Sequence, residues 1–172
     1  VFSPAFSKDK TIFLGTWNGV YRSTDDGESW EQMLDIARFD VVSRRISFIG
    51  NWSAASSVFC SGGNYCFARE TGAVVEFLFV GKKIKWIGQT ANTGGLAHVY
   101  LDGEFVKEVD LYDSRRYMSW QKVLWETEVE ETLKPHILRI EVTGTSSPGS
   151  QGVDVFVDAI EIEYTPKQPR EL

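Results

Sequence analysis

The chain has 172 residues, enough for one sizeable domain with a smaller unit attached. A formal net charge of −6 leaves no basic face for a phosphate backbone, which excludes a nucleic-acid partner on electrostatic grounds. No apolar run is long enough to cross a bilayer as a helix and no signal peptide is visible, so membrane insertion is not expected.

Residues 1 to 34 read as one unit. Lys10 to Gly15 and Gly19 to Arg22 are short strands, and the octapeptide STDDGESW, Ser23 to Trp30, follows them. It matches the pattern S-x-D-x-G-x-[ST]-W at Ser23, Asp25, Gly27, Ser29 and Trp30. Asp25 is placed to cap backbone N–H groups across the turn, Gly27 to take a conformation other residues resist, and Trp30 to fold under the hairpin. With this Asp-box motif, Phe6 to Met33 resembles one blade repeat of the sialidase-type (BNR) β-propellers. The motif marks the hairpin and not sialidase activity. A propeller needs several blades to close, and this chain carries one copy, so the resemblance implies a propeller upstream as a partner within the same protein.

Residues 35 to 44 read as a linker, extended at its Val-rich end. Beyond it, Ile46 to Ile49 is a strand and Asn51-Trp52-Ser53 opens a loop that also fits an N-glycosylation sequon. Cys60 and Cys66 enclose SGGNY. Zinc would need ligands that only His98 and His136 remain to supply, at the wrong spacing, and no CxxC is present. A disulfide closing a short loop is the economical reading, with two free thiols as the alternative. It implies an oxidising compartment. The chain also starts at Val1 without a Met, so it reads as a piece of a longer secreted or cell-surface protein.

The strands continue through Gly72 to Val80 and Lys83 to Gly88. Gly94 to Asp110, GGLAHVYLDGEFVKEVD, is a β-hairpin around which the rest is organised, because Asp102-Gly103 suits the positive φ values of a type I′ turn. A loop over Leu111 to Trp120 precedes strands at Lys122 to Glu126, His136 to Thr143 and Val153 to Tyr164. The fold class is therefore all-β: a jelly-roll β-sandwich over 45 to 164, with the Asp-box blade fragment before it and a loose tail at 165 to 172.

The ordered segments GAVVEFLFVGKKIKWIG, GGLAHVYLDGEFVKEVDLY, KVLWE, HILRIEVTGT and VDVFVDAIEIEY resemble the carbohydrate-binding-module-like jelly rolls of bacterial secreted proteins. These belong to the galactose-binding-like group, near module families 6 and 35. The resemblance covers about Ser43 to Tyr164 and implies a non-catalytic module that attaches its parent protein to a polysaccharide or other glycan. It also implies a structural calcium. Asp158 occupies the late-strand position of such a site, while Ser43 to Ile49 lacks an acidic partner and Asp40 is the nearest. No other cofactor is expected.

Sugar binding needs a flat aromatic for the C–H face of a pyranose and polar groups for its hydroxyls. Trp52, Gln89, Asn92, Arg115, Tyr117 and Trp120 supply this set from loops that one end of the sandwich brings together. Trp86 and Trp125 lie in strands, between core and surface readings. No catalytic constellation emerges: paired carboxylates cannot be chosen by spacing, and neither His follows a GxSxG elbow. Two functions stay open, a glycan-binding module and a structural or protein-interaction sandwich that caps a propeller or mediates cell-surface assembly.

Overall fold

The computed structural model describes residues 5–6, 11–16, 19–32, 36–115 and 117–164. The tail expected at 165–172, the end of the blade fragment at 33–34 and the first linker residue at 35 lie outside the described residues.

β1 (Ala5–Phe6), β2 (Ile12–Thr16), β3 (Gly19–Ser23) and β4 (Glu31–Gln32) form an antiparallel sheet in that order. The turn between β3 and β4 is held by its own side chains. Asp25 accepts the Ser29 N–H at 2.9 Å and the hydroxyls of Ser29 and Ser23, and the Trp30 indole donates to the Gly27 carbonyl at 3.1 Å. The Ser29 contacts lead in drawing the Asp25 carboxyl down to about 2. Gly27 takes φ +95°.

The remaining strands are β5 (Ile36–Asp40), β6 (Ile46–Ile49), β7 (Ser53–Ser56), β8 (Asn64–Ala68), β9 (Val74–Phe79), β10 (Lys83–Thr90), β11 (Leu96–Leu101), β12 (Glu104–Asp110), β13 (Ser119–Glu128), β14 (His136–Val142), β15 (Val155–Val157) and β16 (Ala159–Glu163). One layer has the order β12-β11-β14-β9-β6. The other combines β13-β10-β16-β5 with β15-β8-β7. β15 and β16 are a single line of chain interrupted at Asp158, so the closing strand expected from sequence serves both pairings.

The alternation of β14 explains the core. Leu138, Ile140 and Val142 are fully buried while Ile137 faces out, and β9 and β11 contribute Val75, Phe77 and Val99 to the same interior. Ile84, Trp86, Ile160 and Ile162 answer from the second layer. Each such aliphatic side chain contributes roughly 1.5–3 kcal/mol on burial. Trp86 and Trp125 are cross-strand partners and both are core; the Trp86 indole donates to the Phe156 carbonyl at 3.1 Å.

Three expectations are corrected. Residues 36–40, read as linker, form β5 and pair along β16, and the Phe39 ring packs 5.2 Å from that of Phe77. The small polar segment after Trp52 forms β7, because β8 offers it a ladder from Ser53↔Phe67 to Ser56↔Asn64. Cys60 and Cys66 are free thiols and not a disulfide. The loop between them is already closed by other means: Ser57 N–H donates to Gly63 O at 3.0 Å, and Ser61 N–H to Asp158 Oδ1 at 2.9 Å. Cys66 is meanwhile held in mid-strand between Ala54 and Val157. Burial pushes the Cys66 thiol up, and burial together with the Asp158 charge pushes Cys60 up to about 11. Alkylation in denaturant without reductant should therefore label both cysteines, and alkylation of the folded protein should be slow; a single mass lacking both labels would restore the disulfide.

Gly94 is packed where no Cβ fits, since one would stand 2.0 Å from the Leu111 carbonyl oxygen. Gly103 has open space and only its φ of +89° to satisfy. Gly103→Ala should cost about 1–2 kcal/mol. Gly94→Ala should cost ~3 kcal/mol or more, because a backbone atom cannot step aside. Paired urea titrations would measure the difference.

Candidate functional site

The end of the sandwich opposite the Asp102-Gly103 turn gathers the loops at 89–95, 111–118 and 144–154. Main-chain bonds stitch the first two side by side: Ala91 N–H to Leu111 O at 3.1 Å, Asp113 N–H to Ala91 O at 2.9 Å, and Leu111 N–H to Gly95 O at 3.0 Å. The third loop joins through Gln151 N–H to Asn92 O and Asp154 N–H to Thr93 O, both 2.8 Å. Asp113 is the hub of the seam. It binds Arg115 at 2.5 Å, the Thr90 hydroxyl at 3.1 Å and the Ser119 hydroxyl at 3.3 Å. The Arg115 guanidinium holds its carboxyl far below the usual range.

Beside this seam runs a row of rings. Phe59 lies 6.0 Å from Trp120, Trp120 lies 5.6 Å from Tyr65, and Tyr65 lies 6.2 Å from Phe67, centroid to centroid. The Arg69 guanidinium then stands 5.4 Å from the Phe67 centroid. Tyr65, Phe67 and Arg69 share a face because they alternate along one extended segment. Phe156 forms the buried floor beneath Tyr65 and Phe67. Phe59 is 61% exposed, and the other three rings are half-buried.

The row is rigidly tethered at both ends. Gln121, at φ +50°, donates to the Phe59 carbonyl at 2.9 Å and accepts from Arg38 at 3.2 Å. Arg69 is ion-paired with the buried Asp154, which raises its already high pKa. Asn51, Ser53, Phe67, Arg69 and Glu70 line a polar groove of about 480 Å³ at that end.

A second cluster lies at the strand break. Asp158 is 0% exposed; its Oδ1 accepts from Ser61 and its Oδ2 has no partner. The Ser61 hydroxyl donates to Asp40. Desolvation, only partly offset by Ser61 and Arg38, raises Asp158 to about 6, with the nearby Asp40 adding to the rise. Two carboxylates with one orphaned buried oxygen fit a hard, oxygen-loving cation such as calcium. Among the described residues no group of three His, Cys, Asp or Glu side chains gathers, so main-chain oxygens or water would complete such a shell.

The residues singled out from sequence do not all share one place. Trp120 sits in the ring row. Tyr117 is 76% exposed on the adjoining loop, and Arg115 is committed to Asp113. Asn92 donates to Gln151 at 3.1 Å within the loop cluster. Trp52 packs on Phe48, ring centres 5.2 Å apart, with its indole bonded to Ile49 O. Gln89 is wholly buried and both its side-chain polar atoms lack partners, so it presents nothing to a surface ligand. Phe59, Tyr65, Phe67 and Arg69 stand outside the set expected from sequence. The alternation of Tyr65, Phe67 and Arg69 along one extended segment is the signal in the sequence that points to them.

No family model matches the chain. Two curated proteins of Flavonifractor plautii share stretches with it. One, an A type blood alpha-D-galactosamine galactosaminidase, is 35% identical over 72 residues, which is 42% of this chain and 7% of the relative. The other, an A type blood N-acetyl-alpha-D-galactosamine deacetylase, is 42% identical over 65 residues, 38% of this chain and 8% of the relative. The chain thus spans less than a tenth of either. Among solved structures, a Paenibacillus xanthan lyase is similar at TM-score 0.57 and 14% identity, over 74% of this chain and 13% of that one. A two-domain esterase active on acetylated mannans gives 0.55 and 15%, over 76% and 37%. The GH26-CBM35 mannanase of Podospora anserina gives 0.51 and 14%, over 78% and 29%. At these identities the likeness is one of fold, and the fold is an all-β sandwich like that of carbohydrate-binding modules.

If Asp113 is what holds the seam, Asp113→Ala should speed amide exchange across 111–118 while leaving exchange in β14 unchanged. Hydrogen exchange with mass readout separates the two regions.

Proposed function

We propose that this chain is a non-catalytic carbohydrate-binding module of a larger secreted or cell-surface protein, and that glycan lies along the row Phe59–Trp120–Tyr65–Phe67 with Arg69 at its end. The observation that carries this reading is the row itself. Four rings spaced at 5.6–6.2 Å, ending in a guanidinium, offer apolar faces to successive sugar C–H surfaces and donors to the hydroxyls beyond. The polar groove of Asn51, Ser53 and Glu70 continues that line. The binding step breaks no bond. Its affinity comes from stacking on preorganised rings and from a guanidinium already fixed by Asp154, so little side-chain ordering is left to oppose association.

Calcium, where bound, would be held by Asp158 and Asp40 and would supply positive countercharge and a partner for the unpaired Asp158 Oδ2. Its role is structural, at the meeting of β5, β8 and β16. We further propose that the β1–β4 sheet is a blade of a propeller lying upstream. The two curated relatives are named for blood-group A galactosamine and N-acetylgalactosamine, which makes terminal galactosamine glycans the first ligands to try.

A glycan array probed with the whole chain, with and without calcium, tests the reading. Binding should appear on at least one polysaccharide or oligosaccharide class and fall tenfold or more in Trp120→Ala and in Arg69→Ala, equivalent to about 1.4 kcal/mol each. Calcium should raise the melting temperature of the natural chain and leave that of Asp158→Asn unchanged. Binding to no glycan, or binding indifferent to both substitutions, would overturn the site.

A further inference from the structure

His136 begins β14 at the end of the sandwich remote from the ring row, and it is buried. Its Nδ1 lies 2.7 Å from Asp102 Oδ2, and its Nε2 lies 3.0 Å from the Glu131 main-chain carbonyl oxygen. Both neighbours accept. A carbonyl oxygen has no hydrogen to give. Asp102 is held as a carboxylate: its partial burial works against ionisation, but bonds from His136 and the Ile137 N–H outweigh it and lower its pKa. A neutral imidazole carries one N–H and can satisfy only one of these acceptors. The imidazolium satisfies both.

Asp102 is itself a junction. It sits at φ +53° in the β11–β12 turn, its Oδ1 accepts the Ile137 N–H at 2.8 Å, and its own N–H donates to Ile137 O at 2.9 Å. The ring of His136 therefore joins three segments: the hairpin turn, the start of β14 and the connector at 129–135. The groups that face it are Asp102 from the turn, the Glu131 carbonyl and carboxylate from the connector, and the Phe79 ring from β9 at 5.5 Å. Lys134, the nearby connector cation, is engaged by Glu131 at 2.5 Å.

We infer that His136 is a pH-operated clamp: charged, it locks the β11–β12 turn to the 129–135 connector, and neutral, it releases one of the two. The Asp102 bond raises the His136 pKa, partial burial opposes the rise, and the Glu131 carbonyl adds to it. A histidine raised in the folded state contributes stability that is complete below its unfolded pKa of about 6.5 and is lost as pH climbs through the folded value. The released segments border a groove on the outer sheet face lined by Leu78, Asp102, Pro135, Ile137 and Arg139, so the clamp changes that surface and leaves the ring row alone.

Heteronuclear NMR of the whole chain follows both imidazoles, which His136→Gln tells apart. His136 should titrate above the ordinary histidine range with both ring nitrogens protonated at pH 6. Asp102→Asn should lower its midpoint by a unit or more, a tenfold change in proton affinity. Protection of the Asp102 and Ile137 amides, corrected for intrinsic exchange, should fall through the same midpoint, and His136→Gln should abolish that pH dependence. A midpoint at or below the ordinary value, a midpoint unmoved by Asp102→Asn, or protection that does not track it would overturn the inference. No glycan is needed for any of these readouts, so they stand or fall apart from the binding site.

Discussion

The interruption at Asp158 is the constraint on which the second layer depends. Before it, Val155 to Val157 pair with β8; after it, Ala159 to Glu163 pair with β5 on one side and β10 on the other. The Asp158 N–H is turned to Ile87 O at 2.9 Å, and its carboxylate is turned inward to Ser61. A buried carboxylate with one oxygen unpaired is costly, and its raised pKa reports that cost. Where a simple strand needs only alternating apolar residues, this one sets an ionisable group at the junction of three strands.

The ring row draws its residues from three separate places: the loop between β7 and β8, the start of β13, and β8. Such a row is precise only if those places are fixed to one another. Gln121 does this next to Trp120, reaching Phe59 with its amide and Arg38 with its carbonyl. A non-glycine residue at φ +50° carries a backbone penalty of order 1–3 kcal/mol, and here the strained residue is also the tether. Arg69 is fixed at the far end by a ring beneath it and a buried acid beside it. The four rings and the guanidinium are therefore held in fixed relation to one another by bonds from Gln121 and Asp154.

Much of this was legible in the chain. The period-two pattern of His136 to Thr143 and the Asp102-Gly103 turn mark the central hairpin and its neighbour directly, and hairpin geometry puts the loops at 89–95 and 111–120 at one end. Other parts were hidden for physical reasons. Residues 36–40 alternate weakly and become a strand only because β16 offers them an edge. Cys60 and Cys66 suit a short disulfide by spacing alone, but main-chain bonds close the loop first. Gln89 is polar and adjacent to a loop, which suggests exposure; the irregular pairing between Gly88 and Thr90 coincides with its burial. Tyr65 and Phe67 show a common face only on a strand, and two cysteines enclosing SGGNY suggest a loop there instead.

The order in which this architecture can be assembled follows from the pairing of its last strand. The β11–β12 hairpin is local and needs only about 1–10 μs once its residues are available. β5, β8 and β10 all wait for a segment that ends at Glu163. At roughly 5–20 residues per second, the ribosome takes roughly 6–25 s to travel from β5 to β16. Through that interval the nascent chain carries open strand edges flanked by aromatic side chains, the kind of surface that chaperones bind and that other unfinished chains pair with. The sandwich cannot close until almost its whole length has been made.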